Sequence, residues 1–137
     1  NYKAAQEGVT VFRYSIEPHG EFDAARAARF GREASQALIC VPAVEGTHCA
    51  GSLLAVEPED VVATVVKPCR DGSGLIVRLF NPTTEKCKVA VKWGSRVPER
   101  VFVSNPAEER VSRLKGAVEM VPYAIVTLRA EYAEAGK

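Results

Sequence analysis

The chain has 137 residues, 47% apolar and 26% charged, with a formal net charge of +1. That is the mix of one soluble domain with a sizeable core. It argues against nucleic acid or an anionic membrane as a partner, since both need a clustered basic surface, and no apolar run approaches the length of a membrane span.

The opening, NYKAAQEG, shows no charged-then-apolar leader, so no signal peptide is expected. It lacks a starting Met, and the chain reads as a piece of a longer polypeptide. Next comes VTVFRYSIEPHG. Its alternation puts Phe12, Tyr14 and Ile16 on one face and predicts a half-buried strand closed by Pro18 and Gly20. EFDAARAARFGREASQAL is rich in helix formers and predicts one helix near residues 22–37. Ala27, Phe30, Ala34 and Leu38 would form its apolar face, and Gly31 is expected to end the regular part early.

From residue 52 the period is that of strands. SLLAVE, VVATVVK, GLIVRLF, KCKVAVKW and PERVFVS each predict one, and AVEMVPYAIVTLRAEY predicts two divided by Pro122. In KCKVAVKW, Cys87, Val89, Val91 and Trp93 alternate with Lys86, Lys88, Ala90 and Lys92. The Lys row should face water and guard a sheet edge.

Two Asn-Pro pairs end strands, because proline forces the preceding residue into extended geometry. Asn81-Pro82 predicts a hairpin turn, with Asn81 bonding back to the backbone. Asn105-Pro106, followed by Glu108, has the pattern of a helix cap and predicts a short helical turn over AEERVSRL. The expected fold class is therefore mainly β: an antiparallel β-sandwich with one helix near residues 22–37. Residues 1–137 form a single domain, with a strand-helix lead-in over 9–50 and sandwich strands over 52–132.

Candidate chemistry is sparse. His19 sits in a Pro-His-Gly turn. Cys40, His48 and Cys49 evoke zinc, but adjacent ligands point apart on an extended chain and the usual spacing is missing. Glu57, Glu59 and Asp60 crowd a turn and read as solvated. CRDGSGL leads into a strand and so reads as a connecting turn rather than a phosphate loop. Trp93, Tyr14 and Phe12 read as core rather than as sugar platforms. Arg78 interrupts an apolar strand and either faces solvent or meets a carboxylate of a neighbouring domain. Cys40, Cys49, Cys69 and Cys87 are expected to be free, mostly buried thiols, consistent with a cytoplasmic home. No catalytic, cofactor-binding or metal-binding residue is assigned.

Two stretches resemble a family. FRYSIEPHG is similar to an aromatic-x-aromatic-x-aliphatic-x-Pro-His-x-Gly-type strand and turn in the C-terminal β-region of glycoside hydrolase family 38 α-mannosidases. Val61, Val62, Lys67, Gly74 to Pro82 and Pro122 to Arg129 resemble, in order, further strands of that region. The resemblance implies a parent enzyme that hydrolyses α-mannosides with retention, using a divalent metal, zinc, bound by an N-terminal domain. No motif for that metal or for the nucleophilic aspartate occurs here. The chain is then expected to be a non-catalytic C-terminal β-domain that supports the catalytic domain of the same polypeptide. Two other readings stand beside it: a stand-alone carbohydrate-binding module and an immunoglobulin-like interaction domain.

Overall fold

The computed structural model describes residues 8–36, 38–40, 42 and 51–133. Two antiparallel sheets pack face to face. One has three strands, in the order β1 (Leu54–Glu57), β4 (Cys87–Trp93), β7 (Val118–Met120). The other has five, in the order β2 (Val62–Pro68), β3 (Gly74–Phe80), β8 (Ile125–Glu131), β5 (Arg100–Ser104), β6 (Arg110–Leu114). The antiparallel sandwich expected from the alternation is what forms.

Alternation explains the core. β3 and β8 pair along their full length, with Val77 opposite Leu128 and Leu79 opposite Val126. Those residues point inward and meet Val61, Val89 and Met120 in one buried cluster. Each such side chain contributes about 1.5–3 kcal/mol when fully buried. β4 presents Val89, Val91 and Trp93 to the same cluster. Its Lys face looks outward as expected, but β4 is the middle strand of its sheet rather than an edge. Lys92 bonds Glu57 across to β1, and Lys86 lies 3.1 Å from Glu119 on β7. Both pairs are exposed, so each adds at most about 1 kcal/mol.

Asn81 ends β3, but the chain does not return as a hairpin. β3 and β4 lie in different sheets, so residues 81–86 cross the sandwich. Asn81 is fully buried at this crossing. Its Oδ1 accepts from the Thr83 N–H (3.1 Å) and hydroxyl (2.8 Å). Its Nδ2 donates to the carbonyls of Glu85 (2.8 Å) and Val121 (3.1 Å). A hydrogen-bonded amide is needed there because a buried polar group without partners is costly.

The second pair departs further from expectation. Residues 105–109 form a tight turn between β5 and β6, with no helix. The Glu108 N–H donates to the Asn105 carbonyl (3.0 Å), and the Asn105 N–H donates to the Glu109 carbonyl (3.1 Å). Glu108 sits at φ 71, outside the helical region. Strand β6 takes the place of the helical turn.

The lead-in also differs. α1 spans Ala24–Ser35 and runs through Gly31 unbroken. Asp23 caps it, its Oδ1 accepting from the N–H groups of Ala25 (2.9 Å) and Arg26 (3.0 Å). Ala25 is buried, while Ala27, Ala34 and Leu38 are exposed, so the expected apolar face is not covered. Residues 9–19 form no strand. Phe12, Tyr14 and Ile16 are 71%, 84% and 89% exposed, which corrects the half-buried reading. Among the described residues no helix is long and apolar enough to cross a membrane.

Candidate functional site

The outer face of the five-stranded sheet carries the densest cluster of charge. On β8 the inward residues Val126, Leu128 and Ala130 alternate with Thr127, Arg129 and Glu131. By period alone the second set should meet water, yet all three are buried. The reason is the 105–109 turn, which folds back over this face. The carbonyl of Glu108 accepts from Arg129 Nη1 (3.0 Å), and its carboxylate bonds Lys67 Nζ on β2 and the Arg70 N–H (2.8 Å). Ile76, opposite Arg129 on β3, is sealed beneath, at 0% exposure.

Arg129 is the hub. Its Nε donates to Glu131 Oε1 (2.8 Å), and its Nη2 donates to Asp71 and to the Ser73 hydroxyl (2.7 Å). Asp71 and Ser73 lie in the β2–β3 turn, where Gly72 adopts φ 74. Arg110 on β6 adds a second donor to Glu131 Oε1 (2.7 Å) and stacks 5.2 Å from the ring centroid of Phe102. Turns from both halves of the sheet are thus tied to one guanidinium. An open concavity of about 660 Å³ lies against the cluster, lined by Arg70, Glu109 and Arg110 among others.

The electrostatics follow from these contacts. The Arg129 hydrogen bond holds the Asp71 carboxyl well below the usual carboxylate range, helped by Ser73. The Lys67 hydrogen bond, with the Arg70 N–H, lowers Glu108. Burial pushes Glu131 upward, but its bonds to Arg129 and Arg110 outweigh burial and leave it below the ordinary value. Asp71 in turn raises Arg129 further above its already high range. A general acid must hold a proton near working pH. These three carboxyls are all held on the ionised side, so none is set to act as a general acid, and each is bonded to a cationic side chain.

A pH prediction follows. Carboxyls depressed by folding stabilise the native state above their unfolded value, about 4, and that stability is lost as pH falls through the lower folded values. The urea midpoint should therefore decline steadily once pH drops below about 4. Replacing Asp71 with Asn should flatten that decline. Equal acid slopes for the two chains would show that Asp71 contributes nothing to the cluster.

The residues weighed from sequence are scattered. Glu57 ends β1 and pairs with Lys92, while Glu59 and Asp60 are exposed in the following turn. His19 is exposed, its Nδ1 3.1 Å from the Gly20 carbonyl and its ring edge-on to Phe22 at 6.5 Å. Arg78 donates to the Thr127 hydroxyl (3.3 Å), with no carboxylate in ion-pair range among the described residues. Trp93 packs against the core, as expected, whereas Phe12 and Tyr14 do not. Cys69 is buried, Cys87 half-buried and Cys40 exposed, all as free thiols. Burial pushes the Cys69 and Cys87 thiols up. His48 and Cys49 lie outside the described residues.

The Arg129 cluster was missed because its strand pattern reads as a solvated face. The signal available was the run of three polar outward positions ending in an Arg and a Glu two residues apart. Among the described residues no group of three or more His, Cys, Asp or Glu side chains is placed to hold a metal ion.

No curated protein and no solved structure matches the chain. One family model does, that of the glycosyl hydrolases family 38 C-terminal beta sandwich domain, over residues 60–128. The matched span runs from just before β2 to Leu128 in β8, and FRYSIEPHG lies outside it. The match covers half of the chain and takes in every sandwich strand except β1 and the last residues of β8, so the chain belongs to the family 38 glycosyl hydrolase C-terminal β-sandwich domains.

Proposed function

We propose that this chain is the non-catalytic C-terminal sandwich of an α-mannosidase and supports the catalytic domain of the same polypeptide. The observation that carries this reading is the family match over residues 60–128 on a folded sandwich. The charged cluster favours a structural role, because its carboxylates are committed to Arg129, Arg110 and Lys67. In this reading the divalent metal, zinc, and the nucleophile belong to the N-terminal catalytic domain, and the α-mannoside binds there.

The surface proposed to meet that domain is the sandwich end around Tyr123. Val121, Tyr123 and Ile125 are exposed there, and Tyr123 shares a broad concavity with Phe22 at the start of the helix region. Apolar side chains grouped at one end suit a domain interface. A cytoplasmic home belongs to the same proposal, and the free thiols at Cys40, Cys69 and Cys87 fit a reducing compartment.

The purified chain is expected to release no p-nitrophenol from p-nitrophenyl α-mannoside with zinc, cobalt or calcium added. Retaining glycosidases require a nucleophile and an acid/base residue around one sugar ring. Metal-dependent turnover by the chain, shown free of host enzyme, would overturn its assignment as non-catalytic.

A further inference from the structure

The three-stranded sheet has an unfinished edge. β7 is three residues long and pairs only with Cys87–Val89 of β4. β4 continues to Trp93, and on its other side β1 pairs with it from Ala90 to Trp93. In an antiparallel sheet the backbone groups of alternate residues address opposite neighbours. The Gly94 N–H donates to the Leu53 carbonyl (2.9 Å), on the β1 side. Gly94, Lys92 and Ala90 therefore face β1. Val91 and Trp93 turn their N–H and C=O groups the other way, past the end of β7.

Below that edge the sheets do not close. An apolar cleft of about 190 Å³ lies between them, lined by Val91, Trp93, Val101 and Leu114 among others, with Gly116 of the β6–β7 connection at its rim. An apolar cavity of about 150 Å³ is enough for benzene, so one aromatic ring fits. Unpaired backbone above an apolar slot is what strand addition requires: main-chain bonds hold the incoming strand and alternate side chains fill pockets. Left bare, such an edge invites association.

The same chain carries a segment with the complementary need. Residues 9–17 have no strand partner, and every second side chain from Phe12 to Ile16 is large, apolar and exposed. With a net charge of +1, two copies repel each other little. The geometry points to a second copy of this chain as the occupant of the β4 edge. Residues 11–16 of one copy add alongside Val91–Trp93 of the other, and Phe12 enters the cleft. Phe12 suits it better than Tyr14, because the lining residues offer no side-chain partner for a buried hydroxyl. Both copies carry edge and segment, so the exchange is reciprocal and closes as a two-fold dimer. This inference does not rest on the family assignment.

The test is light scattering on the full chain across a hundredfold range of concentration. A monomer–dimer equilibrium is expected, with Trp93 emission shifting as the dimer forms. Phe12→Asp changes an exposed residue, so the monomer should stay folded while dimerisation weakens at least tenfold. Val91→Pro removes the edge N–H and should do the same. An equimolar mixture of the two variants should regain a heterodimer, since one copy keeps an intact segment and the other an intact edge. That recovery also shows that the proline variant folds. A chain monomeric throughout, or a dimer untouched by Phe12→Asp, sinks the proposal. So does a dimer broken by Phe12→Asp but not by Val91→Pro, which would place the segment elsewhere. A monomer whose Trp93 emission responds to Phe12→Asp would show the segment closing its own edge, and would equally reject the second copy.

Discussion

Arg129→Met is expected to destabilise the sandwich by about 3 kcal/mol, the lower end of the ~3–5 kcal/mol seen when one partner of a buried ion pair is removed. The cost comes from what is left behind. Glu131 stays buried and loses its neighbour, and the Glu108 carbonyl loses its donor. Arg110 still reaches Glu131, which is why the lower end applies. Asp71 is exposed at the rim and recovers its bonds from water, so it adds little. The change should appear as a lower urea midpoint with an unchanged slope. A second variant separates charge from packing. In Arg129→Met/Glu131→Leu both buried charges are gone, and such apolar replacements are often neutral or stabilising. The double variant should recover most of the loss. A single variant within about 0.5 kcal/mol of the parent, the range of ordinary surface substitutions, would mean that Arg129 is not the hub its contacts describe.

This cluster also marks where sequence reasoning stops. The strands β3, β4 and β8 are legible because two-residue alternation and burial agree along each. Val77 and Leu79 look inward, as do Leu128 and Val89, and the core is the sum of those choices. The helix is legible from its Ala-rich composition, though its length through Gly31 is not. The 105–109 segment is illegible from local pattern, because Asn-Pro-x-Glu suits a helix cap and a tight turn equally well. Contacts from distant strands decide between them. Lys67 and the Arg70 N–H capture the Glu108 carboxylate, at sequence separations of 41 and 38 residues, and hold the residue at positive φ. Once the turn lies over the sheet, Thr127, Arg129 and Glu131 change from a solvated face into a buried one. The same logic explains Asn81. Its hydrogen bonding to nearby backbone was readable, but which sheet the next strand joins depends on packing that no window of ten residues contains. For the lead-in the period was clear and its partner was not. Alternation says that Phe12, Tyr14 and Ile16 suit a sheet, and it cannot say whose sheet.

Trp93→Ala is expected to cost about 3 kcal/mol, the lower end of the ~3–5 kcal/mol for truncating a buried aromatic ring. Trp93 is half-buried and packed against the core cluster, with one side on the inter-sheet cleft. Truncation enlarges that cleft and strips contacts from Val91, Val101 and Leu114, which share it. Such a loss is a large part of the roughly 5–15 kcal/mol that holds a domain together. Trp93 is the chain's only tryptophan, so the variant must be followed by far-ultraviolet circular dichroism rather than by fluorescence. Dilute samples should be used, because the ring also borders the β4 edge. The same variant tests the carbohydrate-binding reading. An indole facing the other sheet cannot lie flat on a sugar, so retention on immobilised mannan should not depend on it while the protein is folded. A urea midpoint equal to the parent's, together with lost retention on mannan, would take Trp93 out of the core and make it a sugar platform.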